Sequence, residues 1–172
     1  SVEQDSKEAT SMILSFYQSG LGMPDRDYYF DESENGQKLR DAYMEMLVKT
    51  FELLGKDENV AKGIAKDVFD FEKRLAAASL TRLQYRDPHL VYNKLTVPEL
   101  AKVAPNIDWD LYFQNLGIEK PAALLVDNPK FFTEVSNMVK DVPINVWTDY
   151  LTAQFMSSYS SCLNAKYEDI AF

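Results

Sequence analysis

Gly20-Leu21-Gly22-Met23-Pro24-Asp25-Arg26-Asp27-Tyr28-Tyr29 joins an extended, apolar N-terminal segment to a long helical remainder. The two glycines permit backbone angles that other residues avoid. Pro24 fixes its own φ and pushes Met23 toward an extended shape. Asp25-Arg26-Asp27 sets alternating charges beside two aromatic rings. On physical grounds alone the stretch is a tight turn with a local ion pair. Upstream, Met12, Leu14 and Phe16 alternate with Ile13, Ser15 and Tyr17, a period of two that predicts a strand over 10–18. Ser1 to Ala9 is polar and charged and reads as frayed or loop. No second good strand follows, and a single strand cannot satisfy its own backbone groups. Its partner is therefore expected upstream in a longer parent, in another molecule, or missing. A mobile segment before Gly20, or strand pairing between copies, would follow.

Downstream the pattern is helical. Leu39, Tyr43, Met46, Phe51 and Leu54, with Met44 or Leu47, give helical spacing over 36–54, and Gly55 is a good stop. Asp57-Glu58-Asn59 starts a second helix over 58–78, with Val60, Ile64, Val68, Phe71 and Leu75 as its stripe. Gly63 inside it suggests close packing against another helix. Ser79 to Leu95 reads as irregular or short-helical. Thr96-Val97-Pro98-Glu99 fits a capping box opening a short helix to about Ala104, and Asp108 caps another from Trp109 to Leu116. Leu124-Leu125-Val126 is a possible short extended piece. Asn128-Pro129 opens the next helix, and Asp141 and Pro143 open the last, over 143–163. The sum is an all-α domain, mainly helical with one N-terminal strand, and a single domain over residues 1–172.

The 172 residues suffice for one sizeable core. A formal net charge of -9 argues against nucleic acid or an anionic membrane surface as partner. No run approaches the ~18 apolar residues of a membrane span. Cys162 stands alone, so no intrachain disulfide forms, and it reads as a packing residue without a basic neighbour. The single histidine, His89, cannot build a metal site by itself and reads as a loop residue. Glu45, Glu52, Asp67, Asp70 and Glu72 read as solvated helix-face carboxylates rather than an acid–base pair. Gly20-x-Gly22 is too short for a phosphate loop. Tyr28, Tyr29, Tyr85, Tyr92, Trp109, Tyr112 and Trp147 read as packing residues. Arg82, Arg86 and Lys94 can either contact a peptide carboxylate or pair with the acidic excess. No catalytic, cofactor-binding or metal-binding set emerges.

The opening decapeptide resembles the Gly-Leu-x-Leu-Pro-x-Arg-Asp-Tyr-Tyr stretch of the neprilysin and endothelin-converting-enzyme family of zinc metallopeptidases. Asp87-Pro88-His89-Leu90-Val91-Tyr92-Asn93-Lys94-Leu95-Thr96 is similar to the family's Asp-Pro-x-x-x-Tyr-Asn-Lys-x-Thr. A third, weaker match is the helix from Trp147 to Tyr167. The resemblance implies a fragment: a multi-helix orthogonal array, the cap domain of a zincin-type peptidase, whose catalytic zinc domain, with its His-Glu-x-x-His helix, lies C-terminal to the matched region. It implies that Gly20, Leu21, Pro24, Arg26, Asp27, Tyr28, Tyr29, Asp87, Pro88, Tyr92 and Asn93 are structural or cavity-lining. It implies zinc in the full-length parent but none in this fragment, the catalytic domain of the same polypeptide and small peptides as partners, and an extracytoplasmic location. The animal proteins of that family are disulfide-bonded, so the lone cysteine points to a bacterial-type member. The rival expectation is a stand-alone α-helical protein- or peptide-binding module.

Overall fold

The computed structural model describes residues 1–159. In chain order it contains β1 (Val2–Asp5), β2 (Glu8–Phe16) and a 3-10 helix (Arg26–Tyr29). The long helices α1 (Glu34–Leu53) and α2 (Glu58–Ala78) follow. Then come the one-turn helices α3 (Arg82–Tyr85) and α4 (Pro88–Val91), β3 (Asn93–Leu95), α5 (Val97–Val103) and α6 (Trp109–Asn115). β4 (Leu124–Val126), α7 (Pro129–Asp141) and α8 (Ile144–Tyr159) complete it. The ends of the helices follow local chemistry. Ser33 accepts from the Gly36 N–H to open α1, and Asp57 accepts from the Asn59 and Val60 N–H groups to open α2. Thr96 and Glu99 form the expected capping box of α5, and Thr81 and Gln84 form a second at α3. The part of the last expected helix beyond Tyr159, with Cys162 and the end of the third motif, lies outside the described residues.

The chain is mainly helical, but the single N-terminal strand is corrected to a four-stranded sheet of order β1-β2-β4-β3. β1 pairs antiparallel with β2, β2 parallel with β4, and β3 antiparallel with β4. The partner of the 10–18 strand is thus inside this chain. One neighbour is the segment expected to be frayed; the other joins Leu14 to Leu124 and Phe16 to Val126. Neither carried a usable period: β1 is a four-residue Val-Glu-Gln-Asp, and β4 is a three-residue run buried on both faces. With β2 paired on both sides, the free edge that suggested self-association does not exist on that strand.

By contacts the chain forms two compact units, Ser1–Ser19 with Ala78–Asp141, and Gly20–Ala77 with the chain from Val142 onward. In the first, one sheet face (Leu14, Phe16, Leu95, Leu124 and Val126) covers a core of Leu100, Ala104, Trp109 and Phe113. The Phe16 ring lies 5.8 Å from both Trp109 and Phe132, and the Trp109 indole N–H donates to the Ala104 carbonyl.

In the second unit the core comprises Tyr43, Leu47 and Phe51 of α1, Ala61, Ala65, Val68, Phe71 and Leu75 of α2, and Tyr150, Ala153 and Met156 of α8. Phe71 stacks on Tyr150 at 4.1 Å and meets Trp147 edge-on at 4.7 Å. Val68, Phe71 and Leu75 are buried as the hydrophobicity pattern of α2 expects, but at its start the buried stripe is turned by one residue: Ala61 and Ala65 are inside and Val60 is exposed. The small alanines let the backbone approach its neighbours. Gly63, by contrast, faces open space, with nothing within 4 Å of an added Cβ, so it permits no close packing.

Candidate functional site

The two motifs fall in different units. In the second unit Gly20 has φ +91°, and its carbonyl accepts from Tyr150 Oη (2.8 Å) and Gln154 Nε2 (3.3 Å). Gly22 is required by space. A Cβ there would overlap the Tyr43 hydroxyl and lie 2.6 Å from Tyr43 Cζ and 3.0 Å from Glu72 Oε1. Leu21 and Tyr28 are half-buried, Met23 is buried, and Pro24 is exposed. Asp25 opens the 3-10 helix by accepting from the Asp27 N–H at 2.8 Å. Arg26 does pair with Asp27 (3.5 Å), but its Nε also donates to the Ala76 carbonyl (3.0 Å), which ties the turn to α2. Arg40 donates to the Tyr28 carbonyl at 3.1 Å.

Tyr29 leads to the most unusual group of this unit. Its hydroxyl donates to Glu72 Oε2 at 2.8 Å and accepts from the Met23 N–H. Tyr43 Oη also donates to Glu72 (2.8 Å to Oε2), as does Gln154 Nε2 (2.8 Å to Oε1). Glu72 has 0% exposure, which corrects its reading as a solvated helix-face carboxylate. Burial is the main cause that pushes its carboxyl up to about 6, with the hydrogen bonds from Tyr43, Tyr29 and Gln154 opposing. The signal for it was a glutamate in line with Ala61, Ala65, Val68 and Leu75 on one helix face.

In the first unit the second motif closes the sheet. Asp87 caps α4 by accepting from the His89 N–H (2.9 Å), with Pro88 in the first turn. Asn93 Nδ2 donates to the carbonyls of Leu90 (2.8 Å), Val126 (3.0 Å) and Asp127 (3.3 Å). Tyr92 Oη donates to Asp5 Oδ1 (2.8 Å) and Lys94 Nζ to Asp5 Oδ2 (2.9 Å), while Lys7 Nζ lies 4.0 Å over the Tyr92 ring. Asp5 is 1% exposed. The hydrogen bond from Lys94 is the first cause holding its carboxyl at about 2. Lys94 therefore serves the acidic excess. Tyr85 Oη donates to the buried Asp127 (2.7 Å), which also accepts from the Gln18 N–H. Asp5 and Asp127 were not singled out from sequence, because their partners lie far along the chain.

Trp109 and Tyr112, with Phe16, Phe132, Ser15 and Val135, line a cleft of about 420 Å³ in the first unit. Its walls suit an apolar group and supply no acid, base and nucleophile together. Trp147 is a packing residue of the second unit. His89 is exposed on α4. No group of three or more His, Cys, Asp or Glu side chains among the described residues can hold a metal, so a zinc site does not fit them.

The N-terminal model of Peptidase family M13 matches residues 1–172. The chain belongs to peptidase family M13. This is the neprilysin and endothelin-converting-enzyme family that the two motifs resembled. Endothelin-converting enzyme 1 of Homo sapiens is 30% identical over 173 residues, covering 98% of this chain and 22% of that protein. Neprilysin-3 of Drosophila melanogaster is 25% identical over 179 residues, covering 98% and 23%. Among solved structures, the zinc metalloprotease Zmp1 of Mycobacterium tuberculosis in complex with inhibitor has a TM-score of 0.91 at 25% identity, covering 99% of this chain and 26% of that one. The chain thus spans about a quarter of the length of these M13 relatives. Of the residues that carried the resemblance, Gly20, Arg26, Tyr29, Asp87, Tyr92 and Asn93 exchange hydrogen bonds with backbone groups or buried carboxylates.

Proposed function

We propose that this chain is the non-catalytic helical cap of a neprilysin-like zinc metalloendopeptidase, an orthogonal helical array that encloses a cavity and restricts access to small peptides. The observation that carries the reading is the M13 match over the whole chain, joined to a side-chain set that spends its motif residues on structure. Zinc, the water it activates and the glutamate base belong to the remainder of the parent polypeptide. Within this chain the work is positional: the staples around Glu72 and Asp5 keep a wall in shape. The partners are the catalytic domain of the same polypeptide and small peptides, in an extracytoplasmic compartment.

The aromatic cleft favours one rival, a stand-alone peptide-binding module. The two readings separate on the full-length reading frame and its product. The cap reading expects a His-Glu-x-x-His sequence downstream and a purified parent that cleaves short fluorogenic peptides, is stopped by a chelator, and spares folded proteins. A parent that binds peptides without metal-dependent cleavage would establish the rival.

A further inference from the structure

Glu72 is a buried carboxylate with no lysine or arginine against it among the described residues; what surrounds it is a ring of neutral donors. The donors come from the 3-10 helix (Tyr29), from α1 (Tyr43) and from α8 (Gln154). The titratable groups facing it are Tyr29, Tyr43 and Tyr150, and burial with the charge of Glu72 raises all three phenols, so they stay neutral while Glu72 titrates. The same ring grips the first motif. Gln154 Nε2 bridges Glu72 Oε1 and the Gly20 carbonyl, Tyr150 Oη holds that carbonyl too, and Tyr29 Oη joins Glu72 to the Met23 N–H.

We propose that Glu72 is a proton-operated latch on the Gly20–Tyr29 segment of the second unit: proton uptake tightens the segment on α1, α2 and α8, and proton loss loosens it. The ionised carboxylate loses most of its hydration at this site and finds only neutral donors in exchange. A phenol both donates and accepts, so Tyr43 Oη, within 3.0 Å of both carboxyl oxygens, can take the hydrogen bond of the added proton. The sign follows from the raised carboxyl. The folded chain keeps its proton up to about 6, whereas an ordinary glutamate loses it near 4.5. The contribution is fully present below 4.5 and is lost as pH rises through about 6.

The test compares the 172-residue chain with Glu72→Gln, a neutral group of the same shape. Hydrogen exchange of residues 20–30, corrected for intrinsic rates, is read from pH 4.5 to 7.5. The wild type should show its opening constant rising by roughly 15-fold across this range, and E72Q should stay flat. Carbon-13 titration of the Glu72 carboxyl in the wild type serves even where the variant does not fold, with an expected midpoint near 6. A midpoint at or below 4.5, or the same pH profile in both proteins, would overturn the latch.

Discussion

At Gly22 and Gly63 the same residue type has opposite meanings. A Cβ at Gly22 runs into the Tyr43 ring, whereas one at Gly63 meets nothing. Gly22→Ala should therefore cost about 1–3 kcal/mol through overpacking, while Gly63→Ala should gain up to ~1 kcal/mol from helix propensity. Urea unfolding of both variants measures this, and losses of equal size would contradict the steric distinction. Asp5 supplies a pH effect of the opposite sign to Glu72. Its carboxyl is held at about 2, below the 3.8 of an ordinary aspartate. Its stabilising contribution is present above 3.8 and disappears as pH falls through 2. Asp5→Asn should lose stability at neutral pH and flatten the acid limb of the profile between pH 4 and 2. Tyr92→Phe, which removes one donor to the same carboxylate, should lower stability in the same direction and by less than Asp5→Asn. Sequence made the motif residues visible as a string. That their polar atoms meet Asp5 and Glu72 was not legible, because those carboxylates lie elsewhere in the chain and look like solvated residues until their surroundings are known.

The helices show how local signals succeed. Ser33, Asp57, Thr96 and Asp108 each begin a helix by accepting from a backbone N–H that would otherwise be orphaned. Thr96→Ala should destabilise the first unit by about 0.5–2 kcal/mol. Asp108 was legible for the same reason, as a short polar side chain just before an apolar turn. The strands show how local signals fail. The 10–18 alternation was correct to within two residues of β2, but its neighbours were invisible: β1 is charged, and β4 is too short to have a period. Because β2 lies between β1 and β4, its amides at residues 12–16 should be protected from exchange in dilute and concentrated samples alike. Protection that appears only on concentration would restore pairing between copies.

For the molecule as a whole, membership of peptidase family M13 and the absence of a second histidine are both properties of the string of residues. The isolated chain should bind no stoichiometric zinc and hydrolyse no quenched fluorescent peptide; chelator-sensitive cleavage by purified material would refute the cap reading. Sequence by itself determined the family, the long helices and the helix starts at Asp57, Thr96 and Asp108, since each rests on residues within a few positions of one another. Only the tertiary structure decided that the N-terminal strand is the second of four, and that Glu72 and Asp5 are buried. Both depend on groups brought together from distant parts of the chain: Leu14 with Leu124, Asp5 with Tyr92 and Lys94, and Glu72 with Tyr29, Tyr43 and Gln154. A strand's hydrogen bonds and a carboxylate's hydration are exchanged for partners that only the folded chain supplies.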